Sequence, residues 1–140
     1  MLTQQLILIV DHEPVIAMGL RSAIEKLKGV VIGPVPTVSE ALALLEVDRI
    51  AAAILEANLA DRDVTPVALL LAQRRVPFVI HSAVTIPPEL RAVLPDLPLV
   101  PKPHQPELVV TRLAEEMRRS SDRQVLFPPG RHKRSKAWLT

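Results

Sequence analysis

The residues that could do chemistry are two acids, a histidine, a hydroxyl and a lysine, and each stands directly after a short apolar run. They are Asp11, His12, Glu56, Ser82 and Lys102. A short apolar run predicts a strand that is buried on both faces. A carboxylate at the end of such a strand costs free energy unless a partner offsets its charge. Glu56, the one acid at the end of its run, therefore needs a partner.

Apolar runs alternate with amphipathic stretches along the chain. The apolar runs predict five strands, at residues 5–10, 30–35, 51–55, 77–81 and 99–100. The amphipathic stretches predict helices at 14–28, 37–47, 65–75 and 106–119, with at most a short helix in the proline-punctuated segment 82–98. This succession of strands and helices predicts an α/β fold.

The predicted strands are rich in Ile, Leu and Val and lack a clean period-two alternation. That pattern is typical of a parallel sheet covered by helices on both faces. Right-handed crossovers then give an open, doubly wound sheet of five strands. In such sheets, binding sites lie outside the carboxyl ends of the strands. We therefore expect the five chemical residues to meet at that edge.

The composition is typical of a soluble globular protein of one domain. The chain has 140 residues, of which 49% are apolar and 23% are charged. It has no cysteine, which excludes disulfides and thiolate metal sites. The apolar run near the N-terminus, Leu6–Val10, is too short for a signal peptide or a membrane span. We therefore expect a cytoplasmic protein without membrane insertion.

Charge is distributed unevenly along the chain. From Arg118 onward there are seven basic residues and one acid, whereas the rest of the chain is acidic overall. We therefore expect residues 1–119 to form the domain and residues 120–140 to form a basic, flexible tail. Such a tail, with its single Trp138, is either solvated, a nucleic-acid or anionic-surface contact, or a docking segment for a partner.

Four motifs in order resemble the receiver domain of bacterial two-component response regulators, over about residues 5–118. ILIVDHEP is similar to the family's strand with paired acids, and AAILEANL to the strand closed by the phosphoacceptor Asp. PFVIHSA is similar to the strand closed by Ser or Thr, and VPKP to the family's Lys-Pro. EPVIAMGL and VVIGPVPTVSEALALL resemble a single-domain subgroup with a shortened fourth helix. The resemblance implies a flavodoxin-like receiver fold with strand order 2-1-3-4-5.

The resemblance also implies a phosphoryl-transfer chemistry. In the family, an Asp takes a phosphoryl group from a kinase histidine, and paired acids hold Mg²⁺. The Lys and the hydroxyl contact the phosphoryl oxygens. By position, Asp11 would be a metal acid, Glu56 would hold the phosphoacceptor position, and Ser82 and Lys102 would contact the phosphoryl group.

The sequence departs from the family at three of these positions. Glu56 stands where the phosphoacceptor Asp belongs, His12 where the second metal acid belongs, and Leu99 where many members carry Tyr or Phe. Glu is one methylene longer than Asp, so its oxygens reach toward the phosphoryl position. His12 removes one charge and one hard oxygen ligand, so we expect Mg²⁺ binding through Asp11 to be weak and no cofactor to be required.

We therefore expect Glu56 to pair with Lys102 and to reach Ser82 without any phosphoryl group. Glu56 is then either a partial mimic of a phosphorylated Asp or a structural acid, and the chain a pseudo-receiver that acts by protein–protein interaction and is not an enzyme. Its expected partners are a histidine kinase, another signalling protein or a second copy. One rival hypothesis is phosphorylation with Mg²⁺, on Glu56 or on Asp61 or Asp63. A second is nucleic-acid binding through the tail, and a third is a structural adaptor that has no signal state.

Two histidines and one proline complete the predictions. His12 is either a neutral imidazole hydrogen-bonded to Glu13 or Glu56, or a ligand for a softer metal such as Zn²⁺. His81 lies inside a strand, and we expect its imidazole to be a hydrogen-bonded core or edge group. The resemblance implies a cis bond before Pro103.

Overall fold

The computed structural model describes residues 2–83 and 85–126, and for residues 123–126 it describes the backbone alone. Five strands and five helices alternate along this part of the chain. They are β1 (Leu6–Val10), α1 (Pro14–Lys26), β2 (Val30–Val35), α2 (Val38–Val47), β3 (Ala52–Leu55), α3 (Thr65–Gln73), β4 (Phe78–Ser82), α4 (Pro88–Val93), β5 (Leu99–Pro101) and α5 (Pro106–Leu126).

The five strands form one parallel sheet in the order β2-β1-β3-β4-β5. This confirms the predicted fold class, strand order and short fourth helix, which has six residues. The register joins Val10 to Leu55, Leu55 to Ile80, and Ile80 to Leu99 in one row across four strands. Because the strands are parallel, their carboxyl ends meet at one edge.

Alternate residues of each strand enter two separate hydrophobic cores. One core packs the sheet against α2, α3 and α4, and the other packs it against α1 and α5. In β3, for example, Leu55 belongs to the first core and Ile54 to the second. Burial on both faces explains why the strands read as continuous apolar runs.

Helices α1 and α5 lie close together at the amino-terminal end of α5. A Cβ atom at Gly19 of α1 would lie 3.0 Å from Cγ of Pro106, the first residue of α5. Such a distance leaves almost no room for a side chain. Gly19 therefore allows α5 to pack beside the segment that follows β1.

Helix α5 extends seven residues beyond its predicted end at Arg119. The predicted end of this helix was therefore wrong, because the polar segment 120–126 contains neither Pro nor Gly and can continue a helix. The remainder of the predicted tail, residues 127–140 with Trp138, lies outside the described residues. Among the residues that are described, no helix is long and apolar enough to cross a membrane.

Candidate functional site

Asp11 and Glu56 are the next residues after Val10 and Leu55, which pair with each other in neighbouring strands. The amide of Glu56 donates to the carbonyl oxygen of Val10 (2.9 Å), and the amide of Asp11 donates to that of Val35 (3.0 Å). The ladder thus continues past the ends of β1 and β3. These bonds hold the backbones of Asp11 and Glu56 side by side, and the strand alternation turns both side chains toward the layer of α1 and α5.

A third backbone bond brings Lys102 to the same edge. The amide of Lys102 donates to the carbonyl oxygen of Ser82 (2.9 Å), which places the residue after β5 beside the end of β4. The peptide bond between Lys102 and Pro103 is cis, as the family resemblance implied. The edge therefore carries Asp11, Glu56, Ser82 and Lys102 together.

Glu56 is 5% exposed, and both of its carboxylate oxygens have partners. Oε1 accepts a 2.6 Å hydrogen bond from Nζ of Lys102. Oε2 accepts hydrogen bonds from the hydroxyl of Ser82 (2.6 Å) and the amide of Asn58 (3.1 Å). The predicted contacts of Glu56 with Lys102 and Ser82 are both confirmed.

Lys102 contacts three carboxylates while its side chain is only 6% exposed. Its Nζ lies 2.6 Å from Oε1 of Glu56, 2.5 Å from Oε1 of Glu13 and 3.2 Å from Oδ2 of Asp11. An ammonium has three N–H donors, so the number of donors matches the number of acids. We call this group, Asp11, Glu13 and Glu56 around Lys102, the carboxylate cage.

The contacts within the carboxylate cage shift the pKa of its members. Burial alone would raise the pKa of Glu56, but hydrogen bonds from Lys102, Ser82 and a backbone amide outweigh burial and lower it. Burial raises the pKa of Asp11, and the nearby Lys102 offsets this only in part. Burial would lower the pKa of Lys102, but its hydrogen bonds to Glu13 and Glu56 keep it above its usual value. Glu56 and Lys102 are therefore both charged at neutral pH.

Glu13 is the residue of the cage that sequence reasoning missed. It immediately precedes Pro14, which begins α1, and its amide donates to Oδ1 of Asp11 (2.9 Å). The available signal was an acid two residues after Asp11 at the same strand end. The turn that brings its carboxylate back to Lys102 could not be predicted from the residue types.

His12 does not join the cage, which corrects its predicted role. Its side chain is exposed, and no residue that the structure describes hydrogen-bonds its ring. Glu13 and Glu56, its two expected partners, both bind Lys102 instead. Within the described ranges, the converging acid and imidazole atoms belong to Asp11, Glu13 and Glu56, so nothing supports a Zn²⁺ site that includes His12. The turn after Asp11 directs the side chain of His12 to solvent.

The expectation for His81 was also wrong. Its side chain is buried, at 2% exposure, but neither ring nitrogen has a hydrogen-bond partner among the described residues. His81 pairs with Val100 in the register of β4 and β5, and it lies one step beyond Ile80, in the row that Glu56 continues. Burial, together with the positive charge of Lys102, lowers the pKa of His81 to about 4. The imidazole is therefore neutral at pH 7.

The other acids considered as phosphorylation sites lie outside the cage. Asp61 accepts hydrogen bonds from the amides of Val38 (2.9 Å) and Ser39 (3.1 Å) and so caps α2. Asp63 accepts one from the amide of Thr65 (2.9 Å) at the start of α3. Their carboxylates fasten the loop after β3 to two helices.

The cage fits a hard cation by donor type, but Lys102 already serves the same oxygens. The converging oxygen atoms of Asp11, Glu13 and Glu56 all lie within 4.8 Å of one another, and oxygen ligands suit Mg²⁺. Nζ of Lys102 is within 3.2 Å of an oxygen of each. A divalent ion would have to compete with the ammonium.

Solved structures similar to this chain are receiver domains. The solution structure of SdrG from Sphingomonas melonis Fr1 is 36% identical, with a TM-score of 0.69, and the match covers 84% of this chain and 98% of that one. The BeF3-activated conformation of SdrG from Pseudomonas melonis Fr1 is 39% identical, with a TM-score of 0.62, over 81% of this chain and 97% of that one.

More distant structures share the fold alone. A CheY-like response regulator receiver domain protein from Methanospirillum hungatei JF-1 is 18% identical, with a TM-score of 0.74, over 86% of this chain and 99% of that one. No protein-family model and no curated protein matches the sequence.

Proposed function

Because the chain belongs to the receiver domain family of two-component response regulators, we propose that it is a stand-alone pseudo-receiver that signals by binding other proteins. The match to 98% of the SdrG chain supports the assignment of this domain as a receiver. The proposed partners are a histidine kinase, another signalling protein or a second copy, and the proposed location is the cytoplasm.

The observation that carries the proposal is the pair of contacts that Glu56 makes with Lys102 and Ser82. Its two oxygens bind Lys102 and Ser82, the same lysine and hydroxyl that the family uses to contact a phosphoryl group. The longer side chain supplies these contacts without phosphorylation. An attack by Glu56 on a phosphodonor would compete with these contacts.

Charge limits how closely Glu56 can imitate a phosphorylated Asp. A carboxylate carries one negative charge, against about −2 for a phosphoryl group at neutral pH. It also offers two oxygens where a phosphoryl group offers three. Glu56 therefore mimics the phosphorylated state in part, by holding Lys102 and Ser82 in place.

Mg²⁺ is not needed for this function. If bound, it would be held by the carboxylates of Asp11, Glu13 and Glu56 and would neutralise charge on a phosphoryl group. In the cage, the ammonium of Lys102 contacts all three acids. This favours a pocket in which the cation is the ammonium of Lys102 and not a metal ion.

The rival function is phosphorylation with Mg²⁺ on Glu56 or a neighbouring acid. The contacts of Glu56 disfavour it, and so do those of Asp61 and Asp63, whose carboxylates cap helices. Intact mass after incubation with acetyl phosphate and Mg²⁺ separates the two functions. We expect no added phosphate on the wild type, and a phosphorylated wild type would overturn the proposal.

Two variants sharpen this experiment. Glu56→Asp restores the family's phosphoacceptor, so a gain of phosphate in this variant alone would identify Glu56 as the block and show that His12 is tolerated. Glu56→Gln removes the charge that mimics phosphorylation. We expect it to weaken binding to a partner captured by the wild type, whereas unchanged binding would mean that Glu56 is a structural acid only.

A further inference from the structure

The contact between Glu13 and Lys102 differs from the other two contacts of the carboxylate cage. Asp11 and Glu56 are buried beneath the edge of the sheet, but the side chain of Glu13 is 48% exposed. It nevertheless reaches the ammonium of Lys102 at 2.5 Å, while Lys102 itself is 6% exposed. Glu13 is thus the cage member that lies between Lys102 and solvent.

The backbone of Glu13 is fixed on both sides. Its amide donates to Oδ1 of Asp11 (2.9 Å), and its carbonyl oxygen accepts from the amide of Ala17 (3.0 Å) in the first turn of α1. Pro14 restricts the chain further at the start of the helix. Only the side-chain torsions of Glu13 must be ordered to form the contact, which reduces its entropic cost.

The position before Glu13 lacks an acid. His12 is exposed, and no described residue hydrogen-bonds its ring, so its side chain makes no contact with Lys102. Without Glu13, Lys102 would keep two carboxylates for three N–H donors. The third donor would then face water.

We propose that Glu13 is a positioning residue that supplies the negative charge missing at position 12 and holds the Lys102 ammonium against Glu56. This rests on the proposed function and deepens it, because it names the side chain that keeps the pocket in one arrangement. Glu13 accepts the hydrogen bond from the third N–H of Lys102 and shields the amine from solvent. An external anion or reagent reaches Lys102 only when Glu13 moves away.

The reactivity of the Lys102 amine tests the proposal directly. The full chain is treated with limiting acetic anhydride at a fixed pH, and mass spectrometry gives the acetylation of Lys102 relative to the exposed Lys26. We expect Lys102 to be protected in the wild type. In Glu13→Gln its relative reactivity should rise by roughly fivefold, the size expected for a half-exposed charged contact.

Two control variants separate positioning from a general loss of charge. Glu25 lies on the same helix, is exposed and pairs with Arg21, so Glu25→Gln should leave the reactivity of Lys102 unchanged. Adding His12→Asp to Glu13→Gln places a carboxylate one residue away on a side chain that points to solvent, so Lys102 should stay as reactive as in Glu13→Gln alone. Circular dichroism checks that each variant is folded. If Glu13→Gln is not, Glu13→Asp replaces it, because its shorter carboxylate loses the contact with Nζ.

Each outcome decides the proposal. Unchanged labelling of Lys102 in the folded Glu13 variant overturns it, and an equal rise in Glu25→Gln does the same. A return to wild-type protection on adding His12→Asp also refutes it, because a nearby charge would then protect Lys102 without the contact made by Glu13. Phosphorylation of the wild type would sink the pseudo-receiver proposal by a separate measurement and would leave the labelling result intact.

Discussion

The hydroxyl of Ser82 donates a 2.6 Å hydrogen bond to Oε2 of Glu56, and both side chains are buried. This bond joins the residue that ends β4 to the residue that follows β3. Hydrogen bonds from a hydroxyl to a carboxylate at this length are strong, because the acceptor is charged. The two side chains therefore stabilise each other within the pocket.

A double-mutant cycle on Ser82 and Glu56 should reveal this coupling. Ser82→Ala and Glu56→Gln each lower the free energy of unfolding, and we expect an interaction energy of about 1 to 2 kcal/mol between them. Urea denaturation of the wild type, both single variants and the double variant measures it. Additive effects within about 0.5 kcal/mol would contradict the coupling.

Removal of the Lys102 charge should be the most damaging change in the cage. Lys102→Met leaves three carboxylates without their cation, and we expect a loss of about 3 to 5 kcal/mol in the free energy of unfolding. Lys26→Met, at an exposed site, should cost about 1 kcal/mol or less. Equal stabilities of the two variants in urea would mean that the cage does not stabilise the fold.

The buried imidazole of His81 should make the protein sensitive to acid. Its pKa is about 4 in the folded state and about 6.5 when unfolded, so the unfolded state binds more protons in between. The contribution of His81 to stability is fully present above pH 6.5 and is lost as the pH falls toward 4. The total difference is on the order of 3 kcal/mol.

His81→Leu isolates this effect from that of the carboxylates. Leu fills a similar volume and has no proton to bind, so its variant should lose less stability than the wild type between pH 6.5 and 4. Denaturation curves at several pH values give the slope of the free energy of unfolding against pH for each protein. Parallel slopes would show that the imidazole is hydrated or hydrogen-bonded in solution.

The approach of α1 to α5 should make Gly19 intolerant of large side chains. A Cβ atom there already lies 3.0 Å from Pro106, so Gly19→Leu should cost about 1 to 3 kcal/mol through overpacking. Ser22 is exposed on the same helix, and Ser22→Leu is the control. Thermal unfolding should rank Gly19→Leu clearly below Ser22→Leu, and the reverse order would exclude the close approach.

Much of the architecture follows from the apolar runs alone. They predicted the five strands, and the ends of four of them located Asp11, Glu56, Ser82 and Lys102 at one edge, since parallel strands end together. The ion pair of Glu56 with Lys102 followed because a buried acid at that edge requires a cation. These features depend on residue type and order, which a sequence carries.

The errors concern side-chain direction and the limits of a helix. Glu13 and His12 are adjacent, and which of them enters the pocket depends on the turn that begins α1, not on residue type. His81 was expected to be hydrogen-bonded, but hydrogen-bond partners depend on tertiary neighbours. The polar end of α5 carries no stop residue before 126, so the charge pattern was a poor guide to where the helix ends.

In the proposed signalling state, Lys102 binds the side chain of Glu56, which is part of the polypeptide, and not a phosphoryl group that an enzyme adds. A phosphorylated Asp decays by hydrolysis and resets its receiver, whereas Glu56 remains for the lifetime of the polypeptide. Under the proposed function, such a protein could not be switched off by the loss of a phosphoryl group. If the proposed function holds, its output would be set by synthesis, degradation and the supply of partners, so signal strength would follow protein abundance.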